Sequence, residues 1–137
     1  MKDIYENLID IALAQMPKAY APYSDFWVGA ALLCDDGSVY TGSNIENASF
    51  TPTICAERAA FTKAICDGQK NFKAIAVCGG KHGVPANPPT PPCGVCRQFM
   101  REFCSDDFVI LTAFSAQIYC IYTLGELLPD SFGPDNL

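Results

Sequence analysis

The first polar and apolar rhythm in the chain is helical. Tyr5, Leu8, Ile9, Ala12 and Met16 recur at three- and four-residue intervals, Asp3 with Glu6 resembles a capping box ahead of them, and Pro17 ends the run. The rhythm then changes. "FWVGAALLC" and "SVYTGS" are strand-length segments on either side of "DDG", whose Gly37 is available for positive φ, so residues 26–43 predict a β-hairpin in which Trp27 is a packing residue. A second helix is predicted from about Cys55 to Asp67, with Thr53 as a possible N-cap and Gly68 as its stop. "FKAIAVCGG" reads as a buried strand and "KHGVPANPPTPP" as a loop, from its Pro and Gly content. "GVCRQFMREFC" reads as a third helix, "FVILTAF" and "IYCIYT" as strands, and "LGELL" as a short helix stopped by Pro129.

The element order α-β-β-α-β-α-β-β-α predicts an α/β fold: a three-layer α/β/α sandwich with a mixed five-stranded sheet. Strands joined through helices call for a largely parallel sheet, and the opening hairpin adds antiparallel pairing. A length of 137 residues suits a single domain over 1–137.

Composition narrows the partners. Half the residues are hydrophobic and 18% are charged, more apolar than a solitary small domain needs for its own interior, which points to a homo-oligomer. A formal net charge of −6 leaves no basic stripe for a phosphate backbone, so the expectation is no nucleic-acid partner. "MKDIYENLID" has acids within its first ten residues and no unbroken apolar run, and no segment reaches transmembrane length; the chain reads as cytoplasmic, with no membrane partner. Eight cysteines in a reducing compartment are core fillers or metal ligands rather than disulfides. Cys34, Cys66, Cys78, Cys104 and Cys120 lie in apolar or periodic stretches and read as small hydrophobes. His82 stands alone in the Gly/Pro loop and reads as exposed.

Three cysteines are left. Cys55 opens the second helix, and Cys93 and Cys96 open the third at an i, i+3 spacing that puts both sulfurs on one face. Two helix N-termini could bring three thiols to one point, where the positive ends of the dipoles favour the thiolates that bind zinc. Three protein ligands leave a fourth tetrahedral position open, as catalytic zinc sites do. A C-x-x-C alone also suits a redox pair or half of a zinc ribbon, but neither of those needs Cys55 with Glu57.

"CAE" followed by "PCGVC" resembles the three-cysteine form of the zinc-deaminase signature, in which the glutamate is the general acid/base and not a ligand. "YAPYSDFWVGAAL", "GSNIENASF", "TICAERAAF" and "PCGVCRQF", in that order, are similar to the small homotetrameric cytidine deaminases, from helix one to about "LLPDSF". The resemblance implies one Zn²⁺ per chain on Cys55, Cys93 and Cys96, with Glu57 carrying protons between water and the cytosine ring. It implies Phe26, Asn44, Glu46 and Ala56 as contacts to a pyrimidine nucleoside, with Asn44 and Glu46 on the ribose hydroxyls. It also implies Ala48, Phe50 and Phe132 as residues reaching the site from neighbouring subunits, so that a homotetramer shares its active sites. Phe50 stands where many members have tyrosine. The implied reaction turns cytidine or deoxycytidine and water into uridine or deoxyuridine and ammonia, a step of pyrimidine salvage.

Three thiolates and Zn²⁺ sum to −1, so a guanidinium that hydrogen-bonds a sulfur would offset charge at the site; Arg58 is the first candidate and Arg97 the second. Two other readings share part of the pattern. A blasticidin S deaminase has the same C-A-E and P-C-G-x-C patterns, against which "NIEN" favours a ribonucleoside. A structural-zinc or RNA-binding module would keep the metal without the reaction, against which the acidic charge weighs.

Overall fold

The computed structural model describes residues 1–137. Its elements are α1 (Ile4–Gln15), β1 (Phe26–Cys34), β2 (Val39–Ser43), α2 (Ala56–Cys66), β3 (Phe72–Lys81), α3 (Gly94–Phe103), β4 (Val109–Ala113), β5 (Tyr119–Thr123) and α4 (Leu124–Leu127). Asp3 caps α1 by accepting from the Glu6 backbone N–H at 2.8 Å, which is one half of the expected capping box. Pro17 lies in a 3₁₀ turn that ends the helix.

The five strands form one sheet in the order β2-β1-β3-β4-β5. Only β3 and β4 pair in parallel; β2 with β1, β1 with β3 and β4 with β5 are antiparallel. The sheet is therefore mixed, as expected, but not largely parallel. A helical crossover need not land on the adjacent strand: the connection through α2 carries the chain from β2 past β1 to β3, so two parallel strands are separated by an antiparallel one.

Alternation along the central strands builds the three layers. Ala31, Leu33, Ala74, Ala76 and Leu111 turn to one face and pack with Leu8, Ile9 and Ala12 of α1 and with Met16 of the turn that follows it. Ala30, Leu32, Ile75, Val77 and Ile110 turn to the other and pack with Ala60, Phe61 and Ala64 of α2 and Met100 of α3. Because both faces are covered, β1 and β3 are almost continuously apolar in sequence. Phe61 is fully buried, with ring centroids of Phe72, Phe99 and Phe108 at 5.0, 5.9 and 6.0 Å, so one side chain ties α2 to α3 and the sheet. At the start of α2, a Cβ on Gly42 would lie 2.2 Å from Ala56 O; only glycine lets β2 approach the helix end so closely.

Cys34, Cys78 and Cys104 are buried, as small hydrophobes should be, and burial pushes their thiols up to about 11, 12 and 12. Cys66 and Cys120 are instead exposed, at the end of α2 and on the edge strand, where the apolar pattern continues past the edge of the covered face. Trp27 packs at the rim of the α1 layer, and exposed His82 pairs with Asp25. No helix is long and apolar enough to cross a membrane.

Candidate active site

Both site helices begin at a cysteine. Cys55 is the N-cap of α2 and Cys93 that of α3; neither uses its side chain to cap, while each backbone carbonyl accepts the first helical bond, from Ala59 and Arg97 at 3.0 Å. Thr53 is not the cap: its Oγ1 accepts from the Asn47 N–H at 3.0 Å, and the helix starts two residues later than such a cap would place it. With no hydroxyl or carboxylate bound there, the amide groups of two first turns favour negative charge on the sulfurs.

The three sulfurs of Cys55, Cys93 and Cys96 lie within 4.8 Å of one another, and Cys55 Sγ is 3.8 Å from Cys93 Sγ. Cys96 is buried behind them. The hydrogen bond from Cys96 leads in lowering the Cys55 thiol to about 5, with Arg58 adding to the shift, while the same contact and burial push Cys96 far up. Arg58 Nη2 sits 3.6 Å from Cys55 Sγ and 3.4 Å from Thr53 O, and its buried Nε has no partner. Arg97 makes no sulfur contact; its Nε donates to Pro92 O and its Nη1 to Leu127 O, both at 2.8 Å, which fixes the residue before Cys93 to α4. The sulfur contact expected of an arginine therefore belongs to Arg58. Three converging thiols, one readily ionised, form a donor set that suits a borderline-soft divalent ion such as zinc.

Glu57, in the first turn of α2, is 4% exposed. Burial pushes its carboxyl up to about 7, the charge on Cys55 adds to the rise, and its own backbone N–H opposes it. Glu57, Ala56, Asn44, Cys55 and Cys93 line a cavity of about 180 Å³ whose floor includes Val28 and Val77. Thr90 and Pro91 close one side. Composition identifies their segment as a loop but not where it docks, so these wall residues were not legible as site residues.

The segment carrying Asn44 and Glu46 is brought beside α2 by backbone pairing: Ile45 and Ile54 exchange two hydrogen bonds at 2.9 Å, and Tyr20 bonds Asn44 O at 2.9 Å and Glu46 N at 2.8 Å. Asn44 Oδ1 accepts from Val28 N and its Nδ2 donates to Phe26 O, each at 2.8 Å, which leaves one N–H for a ligand. Glu46 lines a second, open cavity of about 490 Å³ with Tyr23, Ser24, Asn47, Phe50 and Thr53. Its carboxylate accepts from Tyr23 N at 2.9 Å, Ser24 N at 3.2 Å and the Ser24 hydroxyl, and the Ser24 bond leads in holding it below the usual carboxylate range. Asn44 and Glu46 thus lie in adjoining cavities that meet at Thr53.

Phe26 is not in either cavity wall. Its ring lies against Gly79, one step along the β3 face from Val77, at the cavity margin. Ala48, Phe50 and Phe132 are all exposed, Phe50 by 73% and Phe132 by 60%.

Residues 2–112 match the family model described as the cytidine and deoxycytidylate deaminase zinc-binding region. The chain is 45% identical over 133 residues to a cytidine deaminase of Sporosarcina psychrophila, covering 96% of this chain and 93% of that one. It is 47% identical over 133 residues to a cytidine deaminase of Halalkalibacterium halodurans, covering 96% of each. The crystal structure of a cytidine deaminase from Burkholderia pseudomallei superposes with a TM-score of 0.82 at 44% identity, over 92% of this chain and 97% of that one. With three thiols and a buried glutamate gathered at two helix starts, on a sheet that superposes on that structure, the chain belongs to the cytidine and deoxycytidylate deaminase zinc-binding family.

Proposed function

We propose that this protein catalyses the zinc-dependent hydrolytic deamination of cytidine and deoxycytidine to uridine and deoxyuridine with release of ammonia, in the cytoplasm, as a step of pyrimidine salvage. One observation carries the reading: a buried carboxyl and a three-thiol cluster open on the same small cavity. Cys55, Cys93 and Cys96 hold one zinc, which when bound supplies a Lewis acid that makes water nucleophilic near neutral pH. Glu57 takes a proton from the attacking water and delivers it to N3 of the ring, as the water oxygen bonds to C4. It then takes the remaining proton from the hydroxyl now on C4 and passes it to the amino group as the C4–N bond breaks, which leaves the C4 carbonyl and ammonia. Enclosure of Glu57 excludes bulk water from these transfers. Arg58 offsets charge on the thiolates through Cys55.

Asn44 offers its free N–H, and Glu46 and Ala56 line the paths to ribose and base. Phe26 stiffens the cavity margin. Ala48 and Phe132, exposed on their own chain, and Phe50, which also lines the Glu46 cavity of its own chain, complete sites on neighbouring chains of a homotetramer. The test is an ultraviolet assay of the zinc-loaded protein with cytidine, deoxycytidine and cytidine 5′-monophosphate. Turnover of both free nucleosides is expected, with the monophosphate much poorer, because the cavities contain no lysine or arginine to meet a phosphate. Equal turnover of cytidine and its monophosphate would overturn the assigned substrate class.

A further inference from the structure

The segment after α4 is pinned to α3. Arg101, with a side chain only 15% exposed, donates from Nε to Ser131 Oγ at 2.8 Å and from Nη2 to Asp135 Oδ1 at 3.0 Å. One turn back on the same helix face, Gln98 Nε2 donates to Phe132 O at 2.9 Å. Between them Gly133 lies flat on the guanidinium: a Cβ there would be 2.4 Å from Arg101 Cζ and 2.6 Å from Nη1. Asn136 Oδ1 accepts from Gly133 N at 2.8 Å and closes the turn. These contacts fall on the Phe132 carbonyl and on residues 131, 133, 135 and 136 around it, while its ring is left 60% exposed.

An ion pair whose carboxylate is as exposed as that of Asp135 adds little stability by itself. What the clamp does is fix the direction of a phenyl group. Resting on the reading that Phe132 enters the substrate cavity of a neighbouring chain, we infer that Arg101, assisted by Gln98, is a positioning residue that orders residues 131–136 so that the ring is presented ready to dock. Preorganisation of this kind moves the ordering cost from substrate binding to folding, so its loss appears in KM. The helix that Cys93 caps and whose first turn carries Cys96 then also aims, from its last turns, the residue delivered to the next site.

A double-mutant cycle on the zinc-loaded protein tests this: KM and kcat for cytidine, zinc content and thermal midpoint for wild type, Arg101→Ala, Phe132→Ala and the double variant. Each single change is expected to raise KM on the order of tenfold with zinc retained. The double variant should be no worse than Phe132→Ala, since a clamp without its ring has nothing to position. Arg101→Lys should rescue only partly, because an ammonium cannot reproduce the fork to Ser131 and Asp135. An arginine that merely stabilises the fold would lower the midpoint and multiply with Phe132→Ala. If Phe132→Ala leaves KM unchanged, the shared-site reading fails and this inference with it. If Phe132→Ala raises KM while Arg101→Ala does not, or the two effects multiply, the shared site stands and the clamp is overturned. Should Arg101→Ala fail to fold, Ser131→Ala with Asp135→Asn releases the clamp from the tail side, leaves α3 intact, and is held to the same outcomes.

Discussion

At the scale of single residues, Glu57 separates two roles that one side chain can play. An acid in the first turn of a helix is worth about 0.3 to 1 kcal/mol through the dipole, and Glu57→Gln would then cost that much stability and leave turnover intact. A buried carboxyl on the cavity wall is better placed to move protons. The amide can neither accept from water nor donate to N3, so turnover is expected to fall by at least roughly 10²- to 10⁴-fold with zinc retained. Zinc content, thermal midpoint and cytidine turnover of one preparation decide between these outcomes, and near-normal turnover would remove the proton-transfer role. Asp135 gives a second residue-scale prediction. The hydrogen bond and charge of Arg101 hold its carboxyl below the ordinary value of 3.8, so the stabilisation it brings is present above that value and lost as pH falls through the lower folded one. The midpoint difference between wild type and Asp135→Asn should therefore be constant well above 3.8 and shrink progressively as pH falls below 3.8 toward the lower folded value. A difference that persists in strong acid would show that the pair is not what the asparagine disturbs.

At the scale of elements, the site depends on how two helix starts are held together. Phe61 of α2 touches Phe99 of α3, Phe72 of β3 and Phe108 just ahead of β4, so it spaces the helices that begin at Cys55 and at the Cys93–Cys96 pair. Phe61→Ala is expected to cost about 3 to 5 kcal/mol in denaturant unfolding. It should also speed zinc release to a chelator in the still-folded protein, because the α2–α3 spacing is no longer enforced. Unchanged release with lowered stability would assign the spacing to other contacts. Helix and strand order was legible because periodicity is local, and so was the resemblance of the four motifs. The direction of strand pairing was not: nothing in β2 or β3 reveals that β1 lies between them, a choice made by packing of the whole sheet.

For the whole molecule, the apolar surplus seen in composition appears as exposed Tyr20, Tyr23, Ile45, Phe50, Ile121 and Phe132. Light scattering is expected to give a mass of four chains of 14.8 kDa each, and dilution below the assembly range should lower activity together with size. A single-chain mass in fully active protein would exclude shared sites.

What the sequence determined by itself is the chemistry available: thiols at 55, 93 and 96 with an acid at 57, placed at helix starts by patterns that act over a few residues. Tertiary structure decided which groups meet. It made Arg58 and not Arg97 the partner of a sulfur, gave Asn44 and Glu46 separate cavities, set Phe26 at the margin, and folded the last residues onto Arg101. The physical reason is range. Helix starts and strand patterns follow from neighbours along the chain, whereas a guanidinium chooses between a sulfur and a carbonyl according to elements tens of residues away, whose positions only the packed core defines.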